Sequence, residues 1–88
     1  MEHQGNIRST ELEDRVIESA VLQQVLALHP ATVTLEDLGR EIGGDSFAEL
    51  DAVERAVRDL TAAGLLHLNE SLVLPSRAAL RFDELLGR

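Results

Sequence analysis

The feature that most constrains this chain is a change of hydrophobic period at a single glycine. In DAVERAVRDLTAAGLLHLNESLVLP, residues 51–75, Val53, Val57 and Leu60 recur at helical spacing up to Gly64. Beyond it the period falls towards two, the spacing of a half-buried strand, until Pro75 stops the run. Gly64 is the expected C-terminal residue of the helix, because glycine enters the left-handed region without a Cβ penalty. Leu65-Leu66-His67-Leu68 and Ser71-Leu72-Val73-Leu74 are then expected as two short strands around an Asn69-Glu70 turn. Such a chain must pack a helix and the hairpin that follows it onto one core.

The flanking segments add helices. Thr10-Glu11-Leu12-Glu13 fits a capping box and predicts a first helix that stops at about Leu28, ahead of Pro30. Residues 1–9 are polar, contain Gly5 and are expected to form a flexible tail. In the first helix Ile17, Val21, Val25 and Leu28 make one stripe, with Leu22 and Leu26 roughly 120° away from it. Ala31-Thr32-Val33 is a candidate extended segment. Thr34 is placed to cap a second helix with Glu36 and Asp37 in its first turn, where the helix dipole favours acids. Leu35, Leu38 and Ile42 would face inward, and Gly43-Gly44 would end that helix. Ser46-Phe47-Ala48-Glu49 is another capping box, opening a third helix to Ala63 that buries Phe47, Leu50, Val53, Val57 and Leu60. Ser76 caps a last helix, residues 76–87, with a stripe of Ala78, Ala79, Phe82, Leu85 and Leu86. The expected fold class is mainly α (α+β), as one domain over residues 10–88.

This order resembles a winged helix-turn-helix domain of the small stand-alone prokaryotic type, over most of residues 11–75. TLEDLGREIGG resembles its second helix and turn, and AVERAVRDLTAAGLL its third, or recognition, helix entering a β-hairpin wing. The last helix resembles a C-terminal extension that many such proteins use for dimerisation. One departure is GGDSFAELD, which is a few residues longer than the usual turn. The resemblance implies a non-enzymatic, transcription-linked regulator that contacts DNA through helix 3.

On the outward face of helix 3, Asp51, Arg55 and Arg58 are the candidate nucleic-acid contacts, and Arg77 is a candidate addition to the same patch. Arginine suits guanine edges and phosphates. In the competing reading, the two helix 3 arginines pair within the helix to Asp51, Glu54 and Asp59. Charge argues for weak binding. Residues 31–64 hold eight acids against three arginines, a balance of −5 within a chain total of −8, and the wing tip carries no base. Non-specific DNA affinity comes from neutralising phosphates, so binding is expected to be weak or dependent on a dimer. The alternative is a winged helix that docks on a protein partner and does not bind DNA. Leu22, Leu26 and Leu80 stand off their helical stripes and are the candidate homodimer interface, since exposed apolar patches usually mark contacts.

Other classes fit poorly. The 88 residues support one modest core, and the absence of cysteine removes disulfides and thiolate chemistry, which suits a reducing cytoplasm. Gly44-Asp45-Ser46-Phe47 resembles the GDS motif of an esterase family but lacks a downstream Asp-x-x-His, and capping explains Ser46. His3, His29 and His67 lack metal-ligand spacing, and no glycine-rich phosphate loop is present. No enzyme activity and no cofactor are therefore expected. The longest apolar run is far below the roughly 20 residues that cross a membrane, and no basic-then-apolar signal opens the chain.

Overall fold

The structure, a computed structural model, describes the backbone of residues 2–44 and 47–87 and the side chains of 11–44 and 48–87. It is 69% helical, with a small antiparallel sheet, so the fold class is mainly α (α+β) as expected. Helix α1 spans Glu2–Leu28 and so opens inside the stretch expected to be a tail. Nothing before Thr10 forbids a helix: there is no proline, and Gly5 costs about 1 kcal/mol relative to alanine. The capping side chain of Thr10 lies outside the described residues. At its other end α1 stops ahead of Pro30, with the His29 amide donating to the Val25 carbonyl at 3.1 Å.

Strand β1 is Val33–Thr34, which shares only Val33 with the extended segment expected over Ala31–Val33 and ends one residue later. Thr34 also caps α2, Leu35–Leu38, its Oγ1 accepting from the Asp37 amide at 3.0 Å. The Leu35 amide is one of the donors that a helix start leaves without an intrahelical partner, and it donates to the Ser71 carbonyl at 2.8 Å. Helix α2 widens into a π-helical turn over Gly39–Gly43 and ends at Gly44. Gly43 lies tight under the next helix: a Cβ there would sit 3.1 Å from the Glu49 carbonyl carbon. The expected cap at Ser46 lies outside the described residues.

Helix α3 runs Phe47–Ala62. Val53, Val57 and Leu60 are buried as its spacing predicts, together with Ala56, while Leu50 is only half-buried and the Phe47 side chain is outside the described residues. The exit is a Schellman motif: the Leu65 amide donates to the Leu60 carbonyl at 2.9 Å, the Gly64 amide to the Thr61 carbonyl at 3.1 Å, and Gly64 has φ 84°.

The hairpin follows at once. The cap takes up the Leu65 amide, while the Leu65 carbonyl accepts from the Ser76 amide at 2.9 Å. Strand β2 is Leu66–Asn69 and β3 is Leu72–Pro75, each one residue later than expected. The turn is therefore Glu70-Ser71 rather than Asn69-Glu70, closed by the Asn69–Leu72 pair, with a positive φ of 59° at Glu70. Strand β1 pairs antiparallel with β3, Val33 opposite Val73, giving the order β1-β3-β2. Val21 and Val25 of α1, Leu38, the α3 stripe, Leu66 and Val73 meet in one core.

Helix α4, Arg77–Leu85, starts on Ser76, whose buried Oγ accepts from the Ala79 amide at 3.1 Å. Its expected inward stripe is corrected by the structure. Of those residues only Ala79 is buried, while Phe82, Leu85 and Leu86 are 63%, 70% and 63% exposed. Leu80, off that stripe, is half-buried instead. This nine-residue helix rests on α1, and one neighbour covers only one flank of a broad apolar face.

Candidate nucleic-acid interface

With Val53, Val57 and Leu60 turned inward, α3 presents Asp51, Glu54, Arg55 and Arg58 to solvent. All the proposed contacts on this helix are therefore exposed, but their charges are not equally free. Arg55 reaches out of its own helix, with Nη2 3.9 Å from Asp14 Oδ1 on α1. Both side chains are about half exposed, so the pair is worth only about 0–1 kcal/mol. Its consequence is electrostatic, since a carboxylate stands beside the charge that would meet a phosphate. Arg40 is engaged more closely, its Nη2 2.6 Å from Asp37 Oδ1. That guanidinium first, and then hydrogen bonds from Thr34, hold the Asp37 carboxyl below its ordinary range.

Arg58 differs from both. It forms no ion pair among the described residues, within α3 or outside it. It lines a shallow depression with Leu35, Glu54, Thr61 and Leu68, where α3 meets the start of α2 and the strand β2. The pairing with Glu54 that helical spacing allows is thus not adopted by Arg58, and Arg55 meets Asp14 of α1 rather than Asp51 or Asp59 of its own helix. The turn beside this depression, Glu70-Ser71, adds a carboxylate and no base. Arg77 is exposed in the first turn of α4, past the base of the hairpin, and also forms no ion pair among the described residues.

The leucines assigned to a dimer interface are half-buried. Leu22 packs against the core, and Leu26 and Leu80 share a depression between the end of α1 and α4 with Ala27 and His29. Larger apolar exposure lies elsewhere, at Phe82 and Leu85 on α4, at Leu86 just past its end, and at Leu12 and Val16 on α1, which are 62% and 67% exposed. The signal for Leu12 and Val16 was present in the sequence. They are one turn apart and fall off the Ile17–Val21–Val25 stripe, as Leu22 and Leu26 do.

Among the described residues no three His, Asp or Glu side chains are grouped to hold a metal ion, and no helix is long and apolar enough to cross a membrane. The helices and the three-stranded antiparallel sheet are compatible with a winged helix layout. No protein-family model matches the chain, and no curated protein or solved structure matches it significantly. The layout and the side chains alone carry the functional reading.

Proposed function

We propose that this chain is a winged helix-turn-helix regulator, non-enzymatic and transcription-linked, which acts in the cytoplasm as a homodimer and by itself binds DNA weakly through α3. The observation that supports it best is the element order: α2 and α3 lead directly into a hairpin whose strand β3 also pairs with β1. The outward face of α3 and the wing then stand side by side, and Arg58 lies where they meet. Weakness follows from the same residues. Arg40 and Arg55 each face a carboxylate, the turn carries Glu70, and few positive charges remain to displace counterions.

Fluorescence anisotropy on duplex DNA, titrated from low to physiological salt, tests this reading. The parent chain should bind weakly and lose affinity as salt rises, by about 0.9 log units per log unit of salt for each phosphate contact. Arg58→Ala should reduce that slope by about one if Arg58 meets a phosphate, or cost about 1–3 kcal/mol if it meets a base. Nanomolar affinity of the isolated chain at physiological salt would overturn the proposal, as would an Arg58→Ala variant that binds like the parent.

The acidic turn favours a second reading, a winged helix module that contacts a protein and never DNA. Failure of the folded chain to retain any duplex at low salt would select it.

A further inference from the structure

Glu54 and Arg58 stand one turn apart on α3, and their charges do not meet. A glutamate four residues ahead of a basic side chain is the favoured order for a pair along a helix surface. Yet neither side chain forms an ion pair among the described residues. Both are exposed, on the flank of α3 that faces β2 and the start of α2. The depression they border is otherwise apolar. Leu35, Val57 and Leu68 line it, and the hydroxyl of Thr61 is turned back on its own helix, donating to the Val57 carbonyl at 2.7 Å. An incoming ligand therefore meets one set of guanidinium donors and one carboxylate acceptor, four residues apart.

This is a poor cradle for a phosphate. Glu54 offsets the charge of Arg58, Asp51 and Asp59 add acid along the same helix, and Glu70 adds it at the turn. A base edge carries no net charge and escapes that repulsion. It also presents both kinds of partner in the major groove: guanine O6 and N7 accept, and the N4 amine of cytosine donates.

We infer that Glu54 is a specificity-determining residue whose carboxylate accepts from the N4 amine of a cytosine, within two base steps of a guanine held at O6 and N7 by Arg58. The inference rests on the reading of α3 as the DNA-contacting helix, and it names the base that the acidic flank of that helix selects. The spacing allows it. Four residues advance roughly 6 Å along a helix at 1.5 Å per residue. Bases of one strand repeat at about 3.4 Å, so side chains one turn apart reach bases up to about two steps apart. A carboxylate also rejects the other bases. Thymine and guanine turn only acceptors towards it, and adenine sets its N7 acceptor beside its amine. Cytosine alone receives the carboxylate without a lone pair opposite, so Glu54 discriminates by repulsion as well as by attraction.

A selection followed by paired titrations tests the inference. A duplex pool with a randomised centre is enriched on the parent chain at low salt, and the enriched duplexes should share a cytosine within two steps of a guanine. Anisotropy then compares the selected duplex with one in which that C·G pair is replaced by T·A. The parent should prefer the C·G form by roughly tenfold, as expected of one good base contact. Glu54→Ala should bind the two forms alike, while a change at the guanine held by Arg58 still weakens it. A carboxylate that only repels DNA gives a different result: Glu54→Ala then gains affinity for both duplexes by one factor and keeps the preference. That outcome overturns the inference and leaves the DNA reading standing, as does an enriched pool without the shared cytosine. A parent chain that retains no duplex at low salt overturns both. Because Glu54 is exposed, the Ala variant should melt like the parent. Should it melt early, Glu54→Gln takes its place, with the same length and no charge. Its preference should shrink, because its amide donates to thymine O4 as readily as its oxygen accepts from cytosine N4.

Discussion

Helices α3 and α4 are both amphipathic, and they use their apolar faces in opposite ways. In α3, α1 and the α2 turn pack against the helix and Val53, Val57 and Leu60 vanish from solvent. In α4 a comparable run of apolar residues finds only α1, and Phe82 and Leu85 remain outside. A stripe in a sequence therefore states that a face needs cover, and the number of neighbours decides whether the same chain supplies it. Where it does not, the face is available to a second chain.

One substitution made twice is the hardest test of this contrast. Val57→Asp places a carboxylate at a site only 1% exposed, with no partner, and should abolish the cooperative thermal melt. That penalty is comparable with the whole stability of a small domain, about 5–15 kcal/mol. Phe82→Asp, measured below the dimerisation range, should stay within about 0.5 kcal/mol of the parent. If both unfold the protein, α4 belongs to the core and the contrast is lost.

The helix ends give a finer comparison. Gly64→Ala should cost about 1 kcal/mol in global unfolding, because φ is 84° there and no neighbouring atom lies close enough to add a clash. Ser76→Ala removes the α4 cap at a similar cost of about 1 kcal/mol. If α4 is peripheral, that second loss should show mainly as faster hydrogen exchange of α4 amides, with the core amides unchanged.

The smallest expected effect concerns the entry to α2. Because Asp37 titrates below its ordinary value of 3.8 in the folded chain, its ion pair and cap bonds stabilise the protein above that pH. The contribution fades as pH falls further, through the depressed folded value. Asp37→Asn should therefore melt slightly earlier than the parent at neutral pH, with the difference closing below about pH 3.8. A gap that persists in acid would assign the effect to packing.

What the sequence made legible follows from the range of each interaction. The caps at Thr34 and Ser76 and the exit at Gly64 depend on neighbours a few residues away, and the structure places all three as expected. The outward placement of Arg55 and Arg58 follows from helical period alone. Their partners do not: Asp14 meets Arg55 only once α1 is packed on α3. The one-residue displacement of the hairpin is invisible to periodicity: the Leu65 amide belongs to the helix cap while its carbonyl still accepts from the Ser76 amide across the base of the hairpin. The rotation of α4 has a tertiary cause: Ala79 is buried and Leu80 faces the end of α1, while the most apolar arc stays outside. The π-helical turn over Gly39–Gly43 has no local signature that distinguishes it from an ordinary helical turn.

The bond from the Leu35 amide to the Ser71 carbonyl has a mechanical consequence. It straps the tip of the hairpin to the first turn of α2, next to the point where β1 joins β3. A force that lifts the tip must also unpair the leading donor of α2 and then peel β1 from the sheet. The hairpin is accordingly not a soft flap. A push received at Glu70 is passed to the α2–α3 pair as displacement of a braced frame, and little of it is absorbed by bending.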